Sequence, residues 1–364
     1  MKSKKKILIS GYYGFGNSGD DALLLSIIQD FDSKGLKGNI VVLSAHPKQT
    51  KKAYGVRAAG RLNPFSLLYH FMTAHLFISG GGTLIQDGTS TKSLLYYLSL
   101  ISFAEKLGKK VMLYANGIGP VSRQKNRQRV KDVLSKVDVI TVRDEKSLEE
   151  LSALGVEGPE ISLTADPVFM LDNNDNIDGL IRKYRLHDTI CVSVRTTKKM
   201  NEGTFSTAFS KALDRILREY DKRVILLPLQ KCDIDISRRI VAQMFGDAVV
   251  VFDRLPTDQL LSLVAHCDLC VGMRLHMLIY AACGAVPIVG VVYDPKVSGF
   301  MEYAKQDLYI DMEDVTKDSL YDLMKKAIDE HDERKEVLAK QREVLCERAA
   351  ENIEKAYALY KGEN

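Results

Sequence analysis

KILISGYYGFGNSGDDALLL, Lys6–Leu25, sets a short apolar run, a glycine-rich turn and an apolar helical stretch in direct succession. Strand, turn and helix in that order open a βαβ unit, so the chain reads as parallel α/β from its start. Gly14, Gly16 and Gly19 also spell the G-x-G-x-x-G fingerprint of a dinucleotide site. Two features count against a dinucleotide. The second strand ends Leu43-Ser44-Ala45-His46-Pro47, without the acid that would hold a ribose. Asp20 and Asp21 stand where the helix begins, and two carboxylates there repel a pyrophosphate. They read instead as N-cap and first-turn residues. The loop is then either a tight, well-capped turn or a site for a neutral polyhydroxyl ligand such as a sugar, with Asn17 and the carboxylates as hydrogen-bonding groups.

The pattern of that first unit recurs. KILIS, NIVVLSA, HLFISGG, KVMLYAN, DVITVRD and ISLTAD read as strands of one set. TICVSVR, RVILLPLQ, AVVVF, LCVGM, VPIVGVV and DLYID form a second, with helical stretches between the strands of both. The polar run Asp172–Asp178 is the expected linker, because it cannot bury itself and has turn chemistry. The expected division is an N-terminal domain over 1–171, a C-terminal domain over 179–316 and a helical, charge-rich segment over 317–364.

The 364 residues are 46% hydrophobic and 27% charged, an ordinary globular balance long enough for two domains. The net charge of +4 does not call for a nucleic-acid partner. Lys2, Lys4, Lys5 and Lys6 form the densest basic cluster, which reads as a solvated tail, with attraction to an anionic membrane surface as the sharper alternative. The apolar run behind those lysines is too short for a signal peptide. No window reaches the length of a membrane span, so a cytoplasmic protein, peripheral to a membrane at most, is expected. The six cysteines read as small buried hydrophobes, and Cys267-x-x-Cys270 lacks a second ligand pair for zinc.

In doubly wound sheets ligands bind beyond the carboxyl ends of the strands. Here those ends carry GYYGFGNSGDD, SGGGTLIQDG, ANGIGPV, VRDEKS, ADPV, VRTT, PLQK, GMRLH and VVYDPKV. Several cations fall there: Arg143, Arg195, Arg274 and Lys296, with His276 two residues past Arg274. A lone Arg in such a place usually serves a salt bridge, and Arg143 has Asp144 and Glu145 beside it. Together, the cations favour an anionic small substrate, and His276 adds a group that exchanges protons near neutral pH. No Ser–His–Asp triad, P-loop or HExxH is present, and the Asp residues are too scattered for a metal cage, so no metal is expected.

GNSGDDALL, SGGGTLIQD, GIGP, VRDEKS, ADP, GMRLHMLIYAACGAVP and YDPKV, in this order, resemble the polysaccharide pyruvyltransferase family. The resemblance spans about Ile7 to Phe300 and is closest in character to bacterial enzymes that place pyruvate ketals on N-acetylmannosamine of cell-wall polymers. It implies two Rossmann-like doubly wound domains around a cleft, similar to GT-B glycosyltransferases. It implies phosphoenolpyruvate (PEP) as co-substrate with no cofactor, a sugar acceptor with two spaced hydroxyls, and phosphate as product. It places Arg143, Arg274 and His276 around PEP. The chain departs from the family pattern at Asp21, Thr83 and Asn116, where relatives often carry Glu, Ser or Leu, and Gln.

On that reading His276 does acid–base work, and Arg143, Arg274, Lys296 and Arg195 hold the anions. Asn17, Asp20, Gly80, Gly81, Gly82 and Asp87 serve the sugar. Asp166 is a candidate base that could equally be a turn residue. A lipid-linked acceptor would fit an enzyme working at the membrane face. Two other readings compete: a nucleotide-sugar glycosyltransferase of the same architecture, and a non-catalytic sugar-binding or assembly protein. The first usually needs an acid in the helix HMLIYAACG to hold a ribose, and none is there.

Overall fold

The structure, a computed structural model, describes residues 5–88, 90–172, 176–186 and 188–363. Two compact units form: Met1–Leu171 with Leu345–Asn364, and Asp172–Val344. The tail is therefore shared between the units, and residues 345–364 join the first. The run expected as a linker lies partly outside the described residues, as do Lys2 and Lys4.

The first unit holds strands β1 (Lys6–Ser10), β2 (Ile40–Ser44), β3 (Arg57–Gly60), β4 (Ala74–Ser79), β5 (Gly82–Ile85), β6 (Lys110–Ile118), β7 (Val139–Val142) and β8 (Glu160–Leu163). Its helices are α1 (Ser18–Ser33), α2 (Pro47–Tyr54), α3 (Pro64–Thr73), α4 (Thr91–Lys106), α5 (Gln124–Leu134) and α6 (Glu145–Leu154). The strand order is β3-β2-β1-β4-β6-β7-β8, with β5 on β6, and every pairing is parallel. Parallel strands are buried on both faces, which is why they read as continuous apolar runs. Leu8 packs into one core with Phe77, Leu94, Ile101 and Val111. Its neighbours Ile7 and Ile9 point the other way, into a core with Ile27, Phe31, Ile78 and, from the chain's end, Leu359 and Tyr360. Asn352, fully buried, accepts from Thr164 Oγ1 at 2.9 Å and donates to the Ala165 carbonyl at 3.1 Å, which fixes that returning helix to the unit.

The second unit holds β9 (Thr189–Ser193), β10 (Arg223–Leu226), β11 (Ala248–Val250), β12 (Leu269–Gly272), β13 (Ile288–Val292) and β14 (Tyr309–Asp311). Its helices are α7 (Asp178–Tyr184), α8 (Glu202–Tyr220), α9 (Ile234–Val241), α10 (Thr257–Ala265), α11 (Leu275–Cys283), α12 (Pro295–Tyr303) and α13 (Lys317–Asp329), and α14 (His331–Lys361) begins here and ends in the first unit. The order β11-β10-β9-β12-β13-β14, all parallel, is the Rossmann order 3-2-1-4-5-6.

Each sheet has one point where the strand order reverses, and loops there diverge to leave a ligand crevice. In the first unit it lies between β1 and β4, where Ser10 pairs with Ser79. The loop Gly11–Asn17 leaves one side of that point and Gly80–Gly82 the other. In the second it lies between β9 and β12, where Ser193 pairs with Gly272. Arg195 leaves one side and Arg274 the other.

Candidate functional site

At the first reversal point the glycine loop is held by its own side chains. Asn17, not Asp20 or Asp21, is the N-cap of α1: its Oδ1 accepts from the Gly19 N–H at 3.2 Å. Both aspartates fall in the first turn, where the helix dipole favours them. Asp20 is buried, and its Oδ1 lies 3.3 Å from where a Cβ on Gly82 would stand; Gly82 itself has φ +98°. Tyr13 is fully buried beneath the loop. A Cβ on Gly80 would come within 2.1 Å of its hydroxyl, so that glycine is required by packing, and its N–H is spent on the Ser10 carbonyl at 2.7 Å. Gly81 faces Leu23 in the same way, at 2.9 Å. The Tyr13 hydroxyl is pushed well above its ordinary pKa, by burial first and by the Asp20 charge second.

The outer rim of this loop is aromatic. Tyr12 and Phe15, both exposed, stack at 4.2 Å. Arg61, just past β3, lays its guanidinium 5.1 Å from the Phe15 ring and 4.5 Å from Tyr96, with Tyr97 at 5.8 Å. Arg61 escaped the sequence reading because β3 is only RAAG, too short and too weakly apolar to mark the residue after it as a strand end.

Arg143 and Asp166, expected in separate roles, meet inside this unit. Arg143 Nη1 donates to Asp166 Oδ2 at 2.7 Å, Nη2 reaches Thr83 Oγ1 at 3.4 Å, and Nε lies 3.7 Å from Asp144. Both side chains are buried. Gly117 leaves room for the guanidinium, which lies 3.3 Å from where its Cβ would stand. Asp166 also accepts from the Val168 N–H at 3.1 Å, the turn role that was the alternative to a base. Asp87 is equally occupied. It accepts from the N–H groups of Ser122 and Arg123 and from Asn126 Nδ2, at 2.9, 3.1 and 2.9 Å. Burial raises its pKa, but these bonds outweigh that and leave it below the ordinary carboxylate value. A carboxylate so fully used has a scaffolding occupation that competes with the acceptor role expected of it.

At the second reversal point two cations, Arg195 and Lys296, converge on one aromatic ring. Arg195 Nη1 donates to the Tyr293 hydroxyl at 2.9 Å and its guanidinium lies 4.5 Å from the ring centre. Lys296 Nζ lies 5.6 Å from the same centre and 3.6 Å from Asp294. Arg274 is N-cap of α11 and is fixed from behind by the β10 loop. Its Nε meets Asp233 Oδ2 at 3.0 Å, and its Nη2 meets Asp233 Oδ1 at 2.5 Å and Gln230 Oε1 at 2.7 Å. Among the described residues Arg195 has no carboxylate partner. His276 lies in the first turn of α11, its ring 6.2 Å from Tyr280. Asp233, Gln230 and Tyr293 were not singled out from sequence. Their signal was only that PLQK and VVYDPKV are strand ends.

Two parallel sheets of this topology, each with its loaded reversal point, define a protein of the GT-B-like α/β class. Solved structures agree on the fold. The S. aureus MnaA–UDP structure matches with TM-score 0.68 at 14% identity, over 98% of this chain and 97% of that one. Anabaena HepE in complex with UDP-glucose matches with TM-score 0.65 at 12% identity, over 99% and 100%. The Neisseria meningitidis UDP-GlcNAc 2-epimerase bound to UDP-GlcNAc matches with TM-score 0.64 at 10% identity, over 97% and 99%. Sequence narrows the class. The profile of the polysaccharide pyruvyl transferase family matches residues 17–295, and the chain belongs to that family. The amylovoran biosynthesis protein AmsJ of Erwinia amylovora is 23% identical over 358 residues, covering 82% of this chain and 85% of AmsJ.

Proposed function

We propose that this transferase moves the pyruvyl group of PEP onto two hydroxyls of a sugar, N-acetylmannosamine in a cell-wall polymer precursor being the leading acceptor. The product is a cyclic ketal and inorganic phosphate. The observation that carries the donor half is the placing of Arg195 and Lys296 against Tyr293, with Arg274 held by Asp233 on the other side of the reversal point of the second sheet. PEP carries a carboxylate and a phosphate, and fixed guanidinium forks match both.

The reaction balances without an added oxidant or reductant. A proton adds to the PEP methylene carbon and makes C2 electrophilic. One sugar hydroxyl forms a C–O bond to C2 and loses its proton. The C2–O bond to phosphate breaks, and the leaving group departs with the bonding pair. The second hydroxyl closes the ring and gives up its proton, so that two hydroxyl protons end on the new methyl and on phosphate. His276 is the proposed proton carrier, and Arg274, held by Asp233, the group that offsets charge on departing phosphate. Arg143 is a fourth PEP-binding cation in this reading, with Asp166 as the carboxylate that orients it. Asp20, Asn17 and the Gly80–Gly82 turn are the proposed acceptor side, and no metal or cofactor takes part.

The test is His276→Ala. Turnover of PEP with an N-acetylmannosaminyl acceptor is expected to vanish, while PEP still raises the melting temperature as in the wild type. Stabilisation by UDP- or GDP-sugars and not by PEP would instead favour the glycosyltransferase reading. Binding of glycan by a wild-type protein that never turns over would favour the non-catalytic one.

A further inference from the structure

Helix α3 inverts the usual arrangement of a surface helix. Phe71 is buried and Leu67 packs partly against the core. The outward side carries Phe65, Leu68, Tyr69 and Met72, spaced i, i+3, i+4 and i+7, which is a single stripe. All four are exposed, Phe65 at 84%, and Leu62 just ahead of the helix, at 77%, extends the stripe. Contiguous apolar surface of this kind, rimmed by polar groups, marks an interaction site.

The rim is cationic. Lys6 Nζ lies 4.9 Å from the Tyr69 ring centre and donates to Thr73 Oγ1 at 3.1 Å. Lys109 Nζ donates to the Met72 carbonyl at 2.9 Å. Arg57 opens β3, beside α3, and the pKa of His70 on that helix is lowered by burial first and then by the charges of Lys6 and Arg57. Among the described residues none of these three cations has a carboxylate partner. An apolar stripe with a rim of one sign matches a bilayer of anionic lipid, which offers hydrocarbon to the one and phosphate to the other.

We propose that α3 is a membrane-docking helix, which sets Leu62, Phe65, Leu68 and Met72 into the interface of an anionic bilayer with Lys6, Arg57 and Lys109 at the headgroups. No helix among the described residues is long and apolar enough to cross a membrane. The direction of the helix gives the docking a consequence. α3 runs back from the carboxyl end of β3, so Leu62 and Phe65 lie at the end of the sheet that carries Gly11–Asn17 and Gly80–Gly82. Lys6, Arg57 and Lys109 stand at the amino ends of β1, β3 and β6, so docking lays α3 flat along its length and sets those loops beside the lipid surface, where a lipid-linked substrate would present its headgroup. The docking itself does not depend on which reaction the protein performs.

The test is co-sedimentation of the full chain with phosphatidylcholine vesicles, with and without phosphatidylglycerol. Binding to the phosphatidylglycerol vesicles is expected, weakening as salt rises. Phe65→Asp/Met72→Asp is expected to weaken it by about tenfold or more. Arg57→Glu/Lys109→Glu is expected to remove its salt-sensitive part with an unchanged circular-dichroism melt. Three results would overturn the proposal: no vesicle binding by the wild type, equal binding by Phe65→Asp/Met72→Asp, or a dimer that this variant breaks while vesicles go unbound. The last would assign the stripe to a second copy of the chain.

Discussion

Asp233 holds Arg274 at two points, Oδ2 to Nε at 3.0 Å and Oδ1 to Nη2 at 2.5 Å, and the Asp233 side chain has no exposure at all. The pair joins the loop after β10 to the turn after β12. Burial pulls the guanidinium's pKa down, but the Asp233 bonds and charge outweigh it, and the net shift is upward.

Removing one partner of a buried pair strands the other charge. Asp233→Ala is therefore expected to lower the unfolding free energy by about 3 kcal/mol and to cut kcat/KM for PEP more than tenfold, roughly the scale of a misplaced transition-state contact. Arg274→Lys keeps the charge and loses the fork, so it should retain stability better than activity. Urea unfolding and PEP kinetics on both variants check this; wild-type kinetics in Asp233→Ala would remove Arg274 from the reaction.

Asp87 separates scaffold from ligand site. Its three hydrogen bonds brace the start of α5. Asp87→Ala is expected to destabilise the fold by about 2 kcal/mol, since it strands the buried Asn126 amide and removes the bonds to two backbone N–H groups. If Asp87 is only a brace, KM for the acceptor stays near wild type at a temperature where the variant is folded. A large rise in acceptor KM alone would place the carboxylate on the sugar.

The glycines can be read with the same logic. Gly80→Ala forces a Cβ against the Tyr13 hydroxyl, an overpacking expected to cost about 1–3 kcal/mol. The double variant Gly80→Ala/Tyr13→Phe should recover part of the loss. Thermal melts of the wild type, Gly80→Ala, Tyr13→Phe and the double variant decide, and additive losses would contradict the packing explanation.

Asp30 gives the pH dependence a sign. It is buried in α1 with its Oδ2 2.5 Å from the Tyr114 hydroxyl. Burial pushes its pKa up to about 7, against the pull of the Tyr114 hydrogen bond and the Lys34 charge. The unfolded chain releases that proton near pH 4, roughly the ordinary value, so between about pH 4 and 7 the folded state holds the extra proton. This contribution is full below about pH 4 and is lost as pH rises through about 7, at up to about 1.4 kcal/mol per unit. Asp30→Asn should flatten that decline in urea midpoints measured across the range; an unchanged slope would show that Asp30 is not its source.

Much of the fold was legible because parallel strands are continuous apolar runs. KILIS, NIVVLSA and TICVSVR stand out from their surroundings and coincide with β1, β2 and β9. β3 and β5 did not stand out, since each is only four residues long, RAAG has no β-branched residue, and GTLI continues a run of glycines. Helix α3 carries apolar residues on both sides, so no pattern in PFSLLYHFMT tells which side is buried. At the site, strand-end cations were legible by type and position. Their partners were not, because Asp233 lies 41 residues before Arg274 and Tyr293 lies 98 after Arg195. Only folding joins such pairs. Gly80 and Gly81 are ambiguous in sequence for a related reason: a strand-end glycine suits a ligand's approach or close packing alike, and only the fold shows Tyr13 and Leu23 filling the space beside them.

The central claim is transfer of pyruvyl from PEP to a sugar, and one assay reads both halves. Purified protein is incubated with PEP and an N-acetylmannosaminyl acceptor, and free phosphate and ketal product are measured together by colorimetry and mass spectrometry. Phosphate and ketal should appear in equal amounts, and both should disappear in His276→Ala. Phosphate release without ketal, or neither product across a broad acceptor panel with a folded protein, would contradict it.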